Sequence, residues 1–232
     1  MLIIDIETTG LSLLNHRITV IGIIPYDTTT KTIVRDEVFN VINNEIAKNH
    51  DGIIEIKKNV SKILSESSSI VAFNGIEFDM PFIIPWLKGS PCVEEVPMYS
   101  TWDAKYLDFC AISTESTKRF ISLSNICTLN NINVCKSRNG AQAVVCAKER
   151  NWKALCEYCL QDVYVLLELT QHAFIHGLHF SKTRIIDHVM PSETILISFD
   201  DKFQPVLAFD KLLMSSKPEV LVTNVCLADI FV

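Results

Sequence analysis

The chain has 232 residues, of which 48% are hydrophobic, and its 21 basic and 27 acidic residues give a net charge of −6. The apolar content is sufficient for a sizeable core, which argues against an intrinsically disordered chain. The negative charge argues against a histone-like or polybasic binder, but it permits an enzyme that holds a few phosphates through metal ions. The longest apolar runs, such as ITVIGII, fall far short of the ~20 residues that a membrane span requires.

The amino terminus does not resemble a secretory signal. It has no basic start, and Asp5 and Glu7 fall where the apolar stretch of a signal should run. We therefore expect an intracellular protein that is not secreted and has no membrane partner, located in the cytoplasm, the nucleus or a viral factory. In such a compartment the eight cysteines are expected to be reduced thiols.

The amino-terminal part of the sequence predicts three strands. Residues 1–6 form a short apolar run, residues 18–26 are rich in β-branched side chains, and residues 32–41 make a third segment of the same kind. Because the connections between these segments are short, an antiparallel meander is expected.

Helical periodicity begins at residue 51. Residues 51–66 carry apolar side chains at spacings of three and four, and residues 69–74 then predict a strand. A helix between two strands implies a crossover, so the sheet becomes mixed and the fold class is α/β. In the following segment Asp79 is expected at a helix N-cap, with Pro81 in the first turn and Pro85 as a limit or kink of that helix.

The strongest helical pattern in the sequence covers residues 151–176, and Gly177 provides a natural stop. Upstream, residues 89–100 predict a loop and residues 122–132 a short helix. Downstream, the segments ETILISF, QPVLAF and EVLVTNVCL predict short strands.

We place a boundary near residue 180. Residues 1–180 are expected to form one domain, and residues 181–232 a short strand-containing extension packed on the same domain. This extension is also a candidate surface for a protein partner, because strands with few charges can extend a sheet or dock another chain.

Asp5 and Glu7 stand two positions apart at the end of the first predicted strand. Alternate residues of a strand point to one face, so both carboxylates are expected on the same side. Like charges that close repel unless a cation bridges them, and a hard divalent cation such as Mg²⁺ or Mn²⁺ suits carboxylate oxygens. The simpler interpretation is a solvated strand end whose acids cap the next turn, and the pair by itself leaves both open.

Two further acids fall on predicted helices. Asp79 closes the stretch NGIEFD, where an ordinary N-cap is the simpler interpretation. Asp162 lies in the middle of the long helix, four residues after Tyr158, so the two side chains share one face. An acid among apolar neighbours is costly to bury without a partner, and a solvent-facing helical turn is the alternative.

The stretches DIETTG, NGIEFD and YCLQD, in that order, resemble the three motifs of the DEDD (DnaQ-like) 3′–5′ exonucleases. Tyr158 before Asp162 is similar to the tyrosine branch, because the histidine branch has a histidine where this sequence has Glu157. The resemblance covers about residues 1–177 and is similar to the proofreading domain of family B DNA polymerases. It implies a ribonuclease H-like fold, in which helices flank a mixed central sheet.

The same resemblance implies a two-metal catalytic centre beside a cleft for a nucleic-acid end. The implied ligands of two Mg²⁺ or Mn²⁺ ions are Asp5, Glu7, Asp79 and Asp162. Tyr158 is implied to orient the attacking water. The residues implied to contact the terminal nucleotides are Thr8, Leu11 (as a wedge beside the last base), Asn74 and Phe78.

We therefore expect a metal-dependent 3′–5′ exonuclease that releases nucleoside 5′-monophosphates from single-stranded 3′ ends in DNA replication or repair, with DNA slightly favoured over RNA. Two alternatives remain open: an RNA 3′-end trimming nuclease, and an inactive module that binds nucleic acid or protein on the same fold. The presence of all the implied acids together with Tyr158 favours the active enzyme.

Two other features have simpler interpretations. Cys156 and Cys159 form a C-x-x-C in the middle of a helix, and they are expected to be core or surface thiols and not a zinc or redox site. Of Asp103 and Asp108, at least one is expected to bond backbone groups near the cleft.

Overall fold

The structure is a computed structural model that describes residues 1–88, 105–133, 140–182, 194–199 and 205–208. These residues fall into two compact units, the first drawn from residues 1–108 and 135–166, the second from residues 109–134 and 167–232. The expected loop at 89–100, Asp103 and the strand EVLVTNVCL lie outside the described residues. The proposed boundary near residue 180 stays a prediction.

The strands of the described residues are β1 (Leu2–Thr8), β2 (Ile18–Asp27), β3 (Thr32–Ile33), β4 (Glu37–Asn40), β5 (Ser69–Ala72), β6 (Lys105–Asp108), β7 (Leu178–Ser181), β8 (Thr194–Phe199) and β9 (Pro205–Ala208). The helices are α1 (Val41–Ile46), α2 (His50–Glu66), α3 (Asp79–Lys88), α4 (Phe109–Thr117), α5 (Leu123–Leu129), α6 (Gly140–Lys148) and α7 (Trp152–His176).

The first unit contains a mixed sheet. Its strands follow the order β3-β2-β1-β5-β6, and β4 also pairs with β2. The pairs of β2 with β1, β3 and β4 are antiparallel, whereas β5 is parallel to both β1 and β6. The antiparallel meander and the crossover through α2 are therefore confirmed, and so is the α/β class.

Helices cover both faces of this sheet. On one face, apolar residues of α2 and α3 pack against the side chains of Leu2, Ile4 and Ile6 from β1. On the other face, α6 and the first part of α7 pack against Val20 of β2. The alternation of strand side chains thus divides β1 between a face with Leu2, Ile4 and Ile6 and a face that carries Asp5 and Glu7.

One prediction about an element of the first unit was wrong. The expected strand 32–41 is split into β3 and β4, and α1 begins at Val41, because the Asn40 side chain caps that helix by accepting a bond from the Asn43 N–H at 2.9 Å. Of the two effects expected of Pro85, a limit or a kink, the proline does not limit α3, which continues to Lys88, and a kink stays a prediction. Buried residues on both sides of the proline, such as Ile83 and Leu87, hold the helix in the core.

The second unit contains β7, β8 and β9, which form an antiparallel sheet in that order. Helix α5 adjoins β7, and the Asn130 side chain that follows α5 bonds the backbone of His179 in both directions, at 2.7 and 3.0 Å. The expected strands at ETILISF and QPVLAF and the expected helix at 122–132 are confirmed. None of the helices in the described part of the chain combines the length and the apolar character needed to cross a bilayer.

Candidate active site

Strand β1 presents two carboxylates on its α7 face. Asp5 lies opposite Gly22 of β2, and Glu7 lies opposite Val20. Both acids are half-buried, whereas the residues between and before them are buried. The predicted placement of this pair on one face therefore matches the strand that the structure shows.

Helix α7 brings a third carboxylate to the same point. Asp5, Glu7 and Asp162 each offer a carboxylate oxygen, and these oxygens all lie within 4.8 Å of one another. Three half-buried carboxylates at that distance repel one another unless a cation lies between them. Oxygen donors of this kind suit a hard divalent cation such as Mg²⁺ or Mn²⁺. The donor set thus fits the metal ions that the sequence implies.

Gly22 allows α7 to approach the sheet. A Cβ added at Gly22 would lie 2.8 Å from Cγ2 of Val163 and 2.9 Å from Sγ of Cys159, closer than carbon and these atoms can approach. Val163 is the residue after Asp162, so the missing side chain at Gly22 sets how near that carboxylate comes to β1.

Exchange of Gly22 for alanine is expected to push α7 away from the sheet. We expect a loss of about 1–3 kcal/mol in the free energy of unfolding, which is typical of an overpacked core. Divalent-cation binding should weaken as well, because Asp162 moves away from Asp5. Thermal unfolding with and without Mn²⁺ measures both effects, and an unchanged midpoint in both conditions would show that the helix does not depend on this close approach.

Asp79 does not act as a simple N-cap. It is the first residue of α3, it is 2% exposed, and its Oδ1 accepts a hydrogen bond from the Ile6 N–H at 2.9 Å. The pairing of β1 with β5 ends at Ile3, so the carboxylate takes a backbone donor that no strand partner uses. Burial raises the pKa of Asp79 to about 7, the Ile6 bond opposes that rise, and the negative charge of Asp108 adds to it.

Asp108, at the end of β6, fixes the segment that leads to Asp79. Its two carboxylate oxygens accept hydrogen bonds from the N–H groups of Asn74 at 2.9 Å and Ile76 at 3.0 Å. Asn74 has φ 63°, a left-handed conformation that this bond helps to hold. The expectation that one of the two acids in this region bonds backbone groups is confirmed for Asp108.

Exchange of Asp108 for asparagine should loosen this turn, because an amide nitrogen would face one of the two N–H donors. We expect a loss of about 1–3 kcal/mol in the free energy of unfolding. A matched control is Asp27→Asn, since Asp27 accepts from the N–H groups of Thr29 and Thr30 in an exposed turn. Equal losses for the two variants in chemical denaturation would contradict a special role of Asp108.

Tyr158 and Cys159 lie beside the carboxylates. Burial raises the pKa of the Tyr158 phenol, and the charges of Asp162, Glu7 and Asp5 raise it further. The phenol therefore stays protonated at neutral pH and can donate a hydrogen bond, but it is a poor base.

The C-x-x-C pair is divided between the surface and the core. Cys156 is half-buried, and Cys159 is fully buried with its Sγ 3.6 Å from the carbonyl oxygen of Asp5 and 3.9 Å from Oδ2 of the same residue. Burial raises the pKa of the Cys159 thiol, and the nearby acids add to the rise. Neither cysteine forms a disulfide in the structure. The contact of Cys159 with Asp5 was not foreseen, because it depends on how closely α7 packs.

The residues implied to contact a nucleotide occupy different environments. Leu11 is 82% exposed, whereas Thr8 is buried and its hydroxyl donates to the Gly10 carbonyl at 2.6 Å. Phe78 is half-buried, with its ring centroid 5.1 Å from that of Phe82. Contact of these side chains and of Asn74 with a substrate stays a prediction.

Comparison with known proteins places the chain in a family. The model of the RNase_H superfamily matches residues 2–174. A crystal structure of E. coli exonuclease I in complex with a dT13 oligonucleotide is similar at 13% identity and a TM-score of 0.47, covering 73% of this chain and 40% of that chain. A product-bound structure of exonuclease I is similar at 12% identity and a TM-score of 0.49, covering 74% of this chain and 42% of that chain.

This chain thus corresponds to less than half the length of each of those two proteins. No curated protein sequence matches it. The family match spans most of the chain and agrees with the mixed sheet flanked by helices that the structure shows. The chain belongs to the RNase H superfamily and has its fold.

Proposed function

We propose that this protein is a metal-dependent 3′–5′ exonuclease of the DEDD type, in its tyrosine branch. The observation that supports the proposal most directly is the meeting of Asp5, Glu7 and Asp162, whose carboxylate oxygens lie within 4.8 Å of one another. Asp79 is tied to the backbone of the same strand through the Ile6 N–H. Asp79 is not one of the three acids within that distance of one another, and the proposal adds it as the fourth metal ligand.

In this proposal the acids hold two divalent ions, Mg²⁺ or Mn²⁺. When bound, such ions lower the pKa of a water molecule and neutralise charge on the phosphate and the departing 3′ oxygen. The carboxylates would hold the ions, and the ions would in turn bind the phosphate. Tyr158 would donate a hydrogen bond from its phenolic O–H to the attacking water and orient it, which suits a group that keeps its proton because burial and neighbouring negative charges raise its pKa.

The proposed substrate is a single-stranded 3′ end, with DNA favoured over RNA, from which nucleoside 5′-monophosphates are released. A chain with a net charge of −6 has no broad electrostatic attraction for nucleic acid. Binding would then depend on the metal ions and on contacts of a few terminal nucleotides with Thr8, Leu11, Asn74 and Phe78.

We also propose that residues 1–180 form the exonuclease domain and that residues 181–232 form an extension that binds a protein partner.

The direct test uses strands labelled at the 5′ end, one of DNA and one of RNA, incubated with Mg²⁺, Mn²⁺ or EDTA. Stepwise shortening of DNA that requires the cation, with nucleoside 5′-monophosphate as product, supports the proposal. Faster shortening of RNA would assign the trimming activity instead. Binding of either strand without any shortening would indicate an inactive interaction module.

Exchange of Tyr158 for phenylalanine keeps the buried ring and removes only the phenolic donor. We expect the turnover rate to fall on the order of 10–100-fold, because the water loses its orientation, while the affinity for substrate changes little. Single-turnover rates at saturating enzyme measure this step. An unchanged rate would remove Tyr158 from the mechanism, and the melting temperature of the variant checks that the fold is intact.

A further inference from the structure

The last turns of α7 carry two histidines on one face of the helix. His172 and His176 are four positions apart, which places their side chains next to each other. Their ring centroids are 4.8 Å apart, and the ring planes are inclined by 53°. His172 is half-buried and His176 is exposed. The proposed exonuclease mechanism uses neither of them.

The distance between the two rings matches that of two imidazoles bound to one metal ion. An ion that lies ~2.1 Å from one nitrogen of each ring lies roughly 3.2 Å from each ring centre. Ligands at a right angle then separate the ring centres by roughly 4.5 Å, and ligands at the tetrahedral angle by roughly 5.2 Å. The observed 4.8 Å lies between these values. One ion can therefore bind both rings at this separation, with one nitrogen of each ring turned toward it.

The surroundings of the pair favour a cation. In the part of the chain that the structure describes, neither ring has a hydrogen-bond or ion-pair partner. The helix ends directly after His176, where Gly177 has φ 74° and its N–H donates to the Ala173 carbonyl at 2.9 Å. The last carbonyl groups of a helix carry partial negative charge, which stabilises a nearby cation. A protonated histidine profits from the same charge, and that simpler role does not require two rings side by side.

His179 lies close to the pair, but we assign it no bond to the ion. Burial lowers the pKa of His172, and the charges of His176 and His179 lower it further, so the three side chains are near one another. Among the described residues, however, the carboxylate group at the candidate active site is the one set of three potential ligands whose atoms all lie within 4.8 Å of one another. The geometry therefore supports two histidine ligands.

We propose that His172 and His176 bind one transition-metal ion of the Zn²⁺ or Ni²⁺ type, with water molecules as its remaining ligands. Imidazole nitrogen suits these ions, whereas carboxylate oxygen suits Mg²⁺ and Mn²⁺. Two histidines four positions apart on a helix are a recognised arrangement for zinc. The ion would cross-link the last turns of α7. This site differs from the carboxylate group in its ligands, and it does not rest on the proposed exonuclease function.

The test measures Ni²⁺ binding by calorimetry in an excess of Mg²⁺, for the natural protein, His176→Ala and Asp5→Asn. Because His176 is exposed, its exchange for alanine should leave the fold intact. The second of two linked ligands binds within one molecule, so the loss of one histidine should weaken the affinity for Ni²⁺ at least about tenfold. Asp5→Asn should retain this ion, which separates the histidine site from the carboxylates.

His50→Ala and His179→Ala are the matched controls. Each removes one exposed histidine outside the pair, the first at the start of α2 and the second on β7. The affinity for Ni²⁺ should stay within about twofold in both, because the two linked ligands remain. In proton NMR spectra, the paramagnetic Ni²⁺ ion should broaden the ring signals of His172 and His176 and leave those of His50 unchanged.

Three results would overturn the two-histidine site. An unchanged affinity in His176→Ala would assign the ion to other ligands. A loss in His179→Ala as large as that in His176→Ala would show a different set of ligands. Disappearance of the ion in Asp5→Asn would assign it to the carboxylate group. Strand shortening is measured separately in Mg²⁺, so failure of this site and failure of the exonuclease proposal remain distinct.

Discussion

Exchange of Asp5 for asparagine is expected to reduce metal-dependent strand shortening on the order of 10³-fold or more. The change removes a charge from the group of carboxylates that lie within 4.8 Å of one another, while the size of the side chain is kept. A site that holds divalent cations for phosphoryl chemistry loses most of its charge stabilisation when a ligand becomes neutral. Asp162→Asn should have the same effect, because α7 brings the carboxylate of Asp162 to within 4.8 Å of those of Asp5 and Glu7.

Glu157→Gln is the matched control for these exchanges. Glu157 is next to Tyr158 on α7, but its side chain is 65% exposed and lies 3.9 Å from Lys153 on the surface. Glu157→Gln also removes one negative charge, but its rate of strand shortening should stay within twofold of that of the natural protein. Initial rates at several Mn²⁺ concentrations measure the effect, and a Glu157→Gln rate as low as that of Asp5→Asn would point to total charge and not to the carboxylate group.

Thermal unfolding separates a lost ligand from a lost fold. Without metal, the Asp5→Asn protein should be as stable as the natural one or more stable, because one of three repelling charges is gone. Added Mn²⁺ should raise the melting temperature of the natural protein and much less that of the variant, since a cation stabilises only the state that binds it. A marked drop in stability of the metal-free variant would contradict this explanation of its inactivity.

The parts of the fold that the sequence predicts well are those with a local signal. The apolar spacing of residues 51–66 and the long pattern of 151–176 correspond to α2 and α7 within one residue. Alternation in β1 placed Asp5 and Glu7 on one face, because the strand period depends only on the backbone. The short helices α1, α4 and α6 were not predicted, since a few turns carry too weak a pattern.

The features that the sequence did not predict depend on tertiary packing. Asp79 has the sequence context of an N-cap, but its carboxylate bonds the N–H of Ile6, 73 residues away. That partner is available only because β5 stops short of Ile6. The close contact of Cys159 with Asp5 likewise requires a glycine at position 22, on a strand far from Cys159 in sequence. Contacts of this kind leave no periodic pattern in the sequence, so they cannot be predicted from a local segment.

Exchange of Asp79 for asparagine is expected to stabilise the metal-free protein at alkaline pH and to abolish activity. The pKa of Asp79 is raised from an ordinary 3.8 to about 7 by burial. The folded state therefore holds a proton that the unfolded state has lost between about pH 4 and pH 7. The free energy of unfolding falls as the pH rises through that window, and the loss is complete above the folded pKa.

Asparagine keeps the acceptor for the Ile6 N–H without the buried charge, so this loss of stability should be absent from the variant. One unit of pKa corresponds to about 1.4 kcal/mol, and we expect a gain on the order of 2 kcal/mol at pH 8, or several degrees in the melting temperature. The comparison is made in EDTA at pH 5 and pH 8. At pH 5 the difference between the two proteins should be smaller than at pH 8, because only the first part of that pH window has then been crossed.

The Asp79→Asn exchange should lower activity although it raises the stability of the metal-free protein. A buried acid that costs stability as a carboxylate becomes tolerable when a cation binds it, so Mn²⁺ at pH 8 should restore the natural protein and leave Asp79→Asn unchanged. Strand shortening by the variant should fall on the order of 10³-fold. If the Asp79→Asn variant is less stable than the natural protein at pH 8 in EDTA, the carboxylate of Asp79 stabilises the fold. The burial of Asp79 beside β1 would then have a structural role and not primarily a catalytic one.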